Sequence, residues 1–135
     1  MMFARLAVCV LLVAIAPVAS AQMSAEVQFQ PGNFGTMVSG TISGDEYFDY
    51  SLGAKAGQEM FADLQVSDTN GNGVIYFNIL PPGSDGVAIY NGSIDGNTAR
   101  ITLPDDGDYT IRVYLMGNDR DTGKTVGYNL DLSIQ

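Results

Sequence analysis

The chain has 135 residues, with 6 Lys and Arg against 15 Asp and Glu, a net charge of −9, one Cys and no His. That length holds one domain, and so acidic a surface excludes nucleic acid as a partner, because phosphate contacts need clustered Lys and Arg. The missing His removes the commonest general base and zinc ligand, and the lone Cys9 cannot close an intramolecular disulfide.

In chain order, residues 1–21 read as a secretory signal. Arg5 gives a short basic start, Leu6 to Ala16 is apolar without interruption, and Ala19-Ser20-Ala21 fits the small-x-small cleavage pattern. The apolar run is too short to cross a hydrocarbon core of about 30 Å. No Cys follows the cleavage site to carry a lipid, so no membrane attachment is expected after cleavage. Export through the general secretory route to the periplasm is therefore expected, with residues 22–135 as the domain. Losing Arg5 leaves five basic and fifteen acidic side chains, or −10. Such a surface suits a basic protein or a cation as partner.

Short alternating runs with turn punctuation fill the rest, and no segment after Gln22 has a helical period. Val27 and Phe29 alternate with Glu26, Gln28 and Gln30 before Pro31-Gly32-Asn33 ends the run. Thr36 to Ile42 follows, with Val38, Gly40 and Ile42 on one side. In Glu46 to Leu52, Phe48, Tyr50 and Leu52 are expected to face inward and Tyr47, Asp49 and Ser51 outward. After the Ala54 to Gln58 turn come Met60, Ala62, Leu64 and Val66, and then a polar loop from Asp68 to Gly73. Val74 to Leu80 is apolar on both faces and predicts a central strand. Pro81 to Gly86 ends it. Val87 to Tyr90 is a short strand, Asn91-Gly92 a turn, and Ala99, Ile101 and Leu103 mark another strand. Last come the acidic turn Asp105 to Asp108, the run Tyr109 to Leu115, the loop Gly117 to Gly123 and the run Val126 to Ile134. These two runs read as an antiparallel hairpin with a long loop. The sum is an all-β fold, a single antiparallel β-sandwich of about eight short strands with no substantial helix.

Chemistry has little to build on. Asp68-Thr69-Asn70-Gly71-Asn72-Gly73 matches the first half of an EF-hand loop, but Ile79 stands where the bidentate Glu belongs. Asn-Gly and Asp also make plain turns, so no metal site is assigned. Carboxylates are scattered through turns, as solvated surface is, so no catalytic residue and no cofactor are assigned either. Tyr47, Tyr90 and Tyr114 are expected to be exposed, and Tyr and Arg anchor interfaces because they bury large area with few rotors.

An ordered series of motifs carries a resemblance. Gly44-Asp45-Glu46-Tyr47, the Ala54 to Gln58 turn, Tyr76 to Ile79, Asn91-Gly92-Ser93, Leu103-Pro104 through Tyr109, Arg112 to Met116 and Tyr128 together resemble the periplasmic inhibitors of goose-type (g-type) lysozyme. More loosely, the turn before Gln58 and the strand through Arg112-Val113 resemble bacterial pre-peptidase C-terminal domains, which are small β-sandwiches. The first resemblance implies a protein that blocks a muramidase cleft and performs no chemistry. It implies that Tyr47 and the Gly117 to Lys124 segment lie on the inhibitory surface. Gly117 stands where relatives often carry Arg, and Asp121 where a basic residue is expected, which leaves Arg120 and Lys124.

The expected partner-binding set is Tyr47, Tyr90, Ser93, Tyr114, Asn118, Asp119, Arg120 and Lys124. Arg120 would pair with a carboxylate in the cleft, and Asn118 and Asp119 would hydrogen-bond where sugar amides lie. Two other readings stand beside it. One is a carbohydrate- or wall-binding module stacking sugars on Tyr47, Tyr90 and Tyr114. The other is an accessory sandwich holding calcium at Asp68–Asn72.

Overall fold

The computed structural model describes residues 23–135, so the secretory signal and its cleavage site lie outside the described residues. The described chain runs β1 (Met23–Glu26), β2 (Gly35–Ser43), β3 (Tyr47–Ala54), β4 (Glu59–Thr69), β5 (Ile75–Leu80), β6 (Tyr90–Asn91), α1 (Gly92–Asp95), β7 (Thr98–Thr102), β8 (Gly107–Leu115), α2 (Gly117–Asp121) and β9 (Thr125–Ile134). The strands form a five-stranded sheet, β1-β3-β8-β5-β6, and a four-stranded sheet, β2-β9-β4-β7. The two helices are single turns.

Alternation builds the layers. Tyr50 and Leu52 of β3, Ile111, Val113 and Leu115 of β8, and Ile75, Phe77 and Ile79 of β5 are buried. They meet Ile42 of β2, Met60, Ala62 and Leu64 of β4, and Val126, Tyr128, Leu130 and Leu132 of β9. Each fully buried large apolar side chain contributes about 1.5–3 kcal/mol relative to exposure. The ring of Tyr128 takes the space beside Gly40, where a Cβ would come within 2.5 Å of the Tyr128 hydroxyl. Tyr109, near the start of β8, ties back to the acidic turn: its hydroxyl donates to the Asp105 carbonyl (2.7 Å) and accepts from the Asp105 amide (3.0 Å).

Several expectations give way. The closing runs do not form a hairpin: β8 pairs with β3 and β5, while β9 pairs with β2 and β4 in the other sheet. A period of two says which face of a strand is buried and nothing about its neighbours. The connections β1–β2, β2–β3, β3–β4, β4–β5, β6–β7, β7–β8 and β8–β9 all cross between sheets, and β5–β6 does not. The first strand is β1, upstream of Val27 and Phe29, and it pairs in parallel with β3, so that sheet is mixed at one edge. Parallel neighbours need a crossover, and β2 supplies it from the opposite layer. The strand β4 runs on to Thr69, with a bulge between Val66 and Asp68, into what reads as loop. The strand β5 is flanked by β8 and by the two-residue β6, so it is not fully central. Its Tyr76 and Asn78 are half-buried on the outward face.

Candidate functional site

Register sets two rows of side chains on the outward face of the five-stranded sheet. Tyr47 lies opposite Tyr114, and Tyr114 opposite Tyr76. In the adjoining row Asp49 faces Arg112, and Arg112 faces Asn78. Arg112 holds Asp49 with two bonds, Nε to Oδ1 at 2.8 Å and Nη2 to Oδ2 at 3.0 Å. Its guanidinium lies over the Tyr47 ring, 4.5 Å from the centroid. The bonds to Asp49 hold the guanidinium further above its ordinary pKa, against the opposing effect of burial. The Tyr114 hydroxyl donates to Asn78 Oδ1 (2.7 Å), and the Tyr114 and Tyr76 ring centroids are 6.4 Å apart.

The Tyr47–Tyr114–Tyr76 row borders one end of the sandwich, where three connections meet: β2–β3, β4–β5 and β8–β9. Asp119 of α2 ties the β8–β9 connection to the β4–β5 connection. Its carboxylate is fully buried and accepts from the amides of Asn72 (2.9 Å) and Val74 (2.8 Å). Those bonds, Asn72 first, draw its carboxyl below the usual carboxylate range. The close approach requires Gly71, since a Cβ there would stand 2.5 Å from Asp119 Oδ1. Further bonds lock the segment. The Met116 amide donates to the Val74 carbonyl, the Lys124 amide to the Asp119 carbonyl and the Gly44 amide to the Lys124 carbonyl.

Tyr47, Tyr114, Asn118, Arg120 and Lys124 therefore gather at this end, with Asn118 and Arg120 exposed and Lys124 half-buried. Arg120 Nε bonds the adjacent Asp121 Oδ1 at 3.1 Å, with both side chains open to solvent. Ser93 is exposed on α1, at the β6 margin of the sheet.

Two of the expected site residues do not fit their assigned roles. Tyr90 is not an exposed platform. It pairs with Ile79 and points inward, stacks on Phe77 with centroids 5.5 Å apart, and sets its hydroxyl 2.6 Å from the Gly96 carbonyl. Asp119 does not face outward to a partner, because both its oxygens are taken by the β4–β5 amides. Tyr76, Asp49 and Asn78, outside the expected set, complete the two rows around Tyr114 and Arg112. The alternation of Tyr76 and Asn78 against Ile75, Phe77 and Ile79 carried the signal for two of them.

In the EF-hand-like stretch, Asn70 Oδ1 accepts from the Thr125 amide (2.9 Å), and the Asn70 amide donates to the Thr125 carbonyl (3.3 Å). Among the described residues, no group of three or more His, Cys, Asp or Glu converges to hold a metal.

No family model matches the chain. It is 31% identical over 119 residues to the inhibitor of g-type lysozyme from Escherichia coli K12, covering 86% of this chain and 84% of the relative. Among solved structures it resembles Aeromonas hydrophila PliG, a periplasmic inhibitor of g-type lysozyme. That match has a TM-score of 0.74 and 30% identity over 84% of this chain and 96% of the other. A pre-peptidase C-terminal domain of Bacillus anthracis collagenase shares the fold, with a TM-score of 0.55 at 14% identity over 85% of this chain and 97% of that one.

Proposed function

The chain belongs to the family of inhibitors of g-type lysozyme, and from that membership we propose that it is a periplasmic binding protein that occludes the muramidase cleft of a g-type lysozyme with the α2 end of its sandwich. The observation that carries this reading is the rigid presentation of α2. Asp119 is buried beneath it and ties it to the β4–β5 connection, so Asn118 and Arg120 project from a fixed base. A pre-organised segment loses little entropy on binding. Arg120 exchanges its exposed bond to Asp121 for a carboxylate in the cleft. An enzyme acting on anionic wall polymer tends to be cationic, and an inhibitor of charge −10 once residues 1–21 are removed is drawn to it.

The test is turnover of a g-type lysozyme on wall substrate as this protein is titrated in, beside lysozymes of other types. Inhibition confined to the g-type enzyme is expected, and undiminished turnover at saturating protein refutes the reading. The wall-binding alternative is weakened by two rings. Tyr90 is buried, and one face of Tyr47 is covered by Arg112. Binding of peptidoglycan fragments with no lysozyme present would favour it instead.

A further inference from the structure

The two outward rows on the five-stranded sheet have a composition unlike the rest of this acidic chain. They hold three tyrosines, an asparagine and one ion pair whose charges cancel, Arg112 with Asp49. Interface cores are enriched in Tyr and Arg, and here the guanidinium and carboxylate are already paired with each other, so neither charge needs a partner's counter-charge. The side chains are also held in place. Arg112 is fixed by its fork on Asp49 and covers the Tyr47 ring, while Asn78 accepts from the Tyr114 hydroxyl and also from the Gly92 amide (3.3 Å). Tyr76, Tyr114 and Tyr47 are each only partly buried, so ring surface remains open to a partner. With strands about 4.8 Å apart, the row covers roughly 10 Å across the sheet and lies at the end where α2 projects.

We propose that the lysozyme-contact surface continues from α2 across this row, with Tyr76 and Tyr114 joining Tyr47 as contact residues, and with Asp49, Arg112 and Asn78 as positioning residues. The proposal rests on the reading of the chain as an inhibitor of g-type lysozyme and adds which face meets the enzyme. The surface it fits is a cleft wall that binds hydroxyl-edged sugar rings by their C–H faces, to which a tyrosine ring edged by its hydroxyl offers an apolar face of similar size. Such rings bury area at low rotamer cost.

The experiment compares inhibition constants for Tyr76→Thr, Tyr114→Phe, Tyr114→Thr and Asn78→Ala with wild type, using a g-type lysozyme and a thermal melt of each variant. Threonine keeps the strand propensity of the site. Met37, exposed on the other sheet, serves as control through Met37→Thr. Tyr76→Thr and Tyr114→Thr are expected to weaken inhibition by tenfold or more with little change in Tm, and Met37→Thr by less than twofold. Asn78→Ala and Tyr114→Phe should weaken it less than Tyr114→Thr, because the ring stays and only its anchoring is lost. Wild-type inhibition by both Thr variants, with Arg120→Ala impaired, overturns the extended surface and leaves the inhibitor reading standing. No inhibition by the wild-type protein sinks both.

Discussion

The hydroxyls of Tyr50 and Tyr128 meet at 2.7 Å between the two sheets, one ring from β3 and the other from β9. Both phenols are buried, and burial raises both pKa values above the ordinary value for tyrosine. A buried hydroxyl deprived of its partner carries its full desolvation cost, whereas removing both hydroxyls leaves neither stranded. Tyr128→Phe and Tyr50→Phe are each expected to cost about 1–2 kcal/mol, and the double variant less than the sum. Denaturant titration of the three variants tests this, and strict additivity counts against it.

Asp119 predicts the shape of the acid limb. Its folded pKa is depressed by the Asn72 and Val74 amides, so its stabilisation is present above the unfolded-chain value of about 3.9 and is lost as pH falls through the lower folded value. Asp119→Asn should lower Tm at pH 7, since an amide nitrogen then faces donors, and should make Tm depend less on pH below about 4. Parallel Tm–pH curves for variant and wild type would contradict the assignment.

Arg120 and Arg112 separate binding from folding. Arg120→Ala is expected to leave Tm nearly unchanged and weaken lysozyme inhibition by ~2 kcal/mol or more, as for a desolvated interface Arg. Arg112→Ala removes both bonds to Asp49 and the cover over Tyr47, and should destabilise the fold by about 2 kcal/mol. Arg112→Lys should recover only part of that, because an ammonium lacks the planar fork. Equal inhibition by wild type and Arg120→Ala would reduce α2 to a connector.

Electrostatic capture predicts a kinetic signature. Association with a basic lysozyme should slow steeply as salt rises, while dissociation changes little. Stopped-flow rates that stay flat across ionic strength would remove long-range attraction from the account.

What the alternation could convey, it conveyed. Phe48, Tyr50 and Leu52 were read as inward and Tyr47 as outward, and the structure has them so. What it could not convey was which strands are neighbours, because pairing depends on contacts far apart in the chain. Tyr76 and Arg112 become parts of one patch only through the register of β8 against both β3 and β5. Tyr90 was misread because a two-residue strand is too short for alternation to show which way it points. Asp119 reads as a partner-binding residue because its actual partners are backbone amides 45 and 47 residues away, and amides leave no mark on composition. The motif series fared better, since the family it resembles is the one to which the chain is 31% identical over 119 residues.

The chain's habit of changing sheets at nearly every connection has a kinetic consequence. Apart from the two-residue β5–β6 pair, neither layer can grow from local hairpins, since the β2–β9, β4–β9 and β3–β8 ladders join segments distant in sequence. Loop-closure entropy must be met before those ladders stabilise anything, so folding belongs in the slow, millisecond-to-second range of all-β topologies. The same interleaving couples the layers, because each central strand, β8 or β9, is next in sequence to a strand of the other sheet. Unfolding of the central strands should proceed as one event from both sheets together, with burst-free, single-exponential refolding.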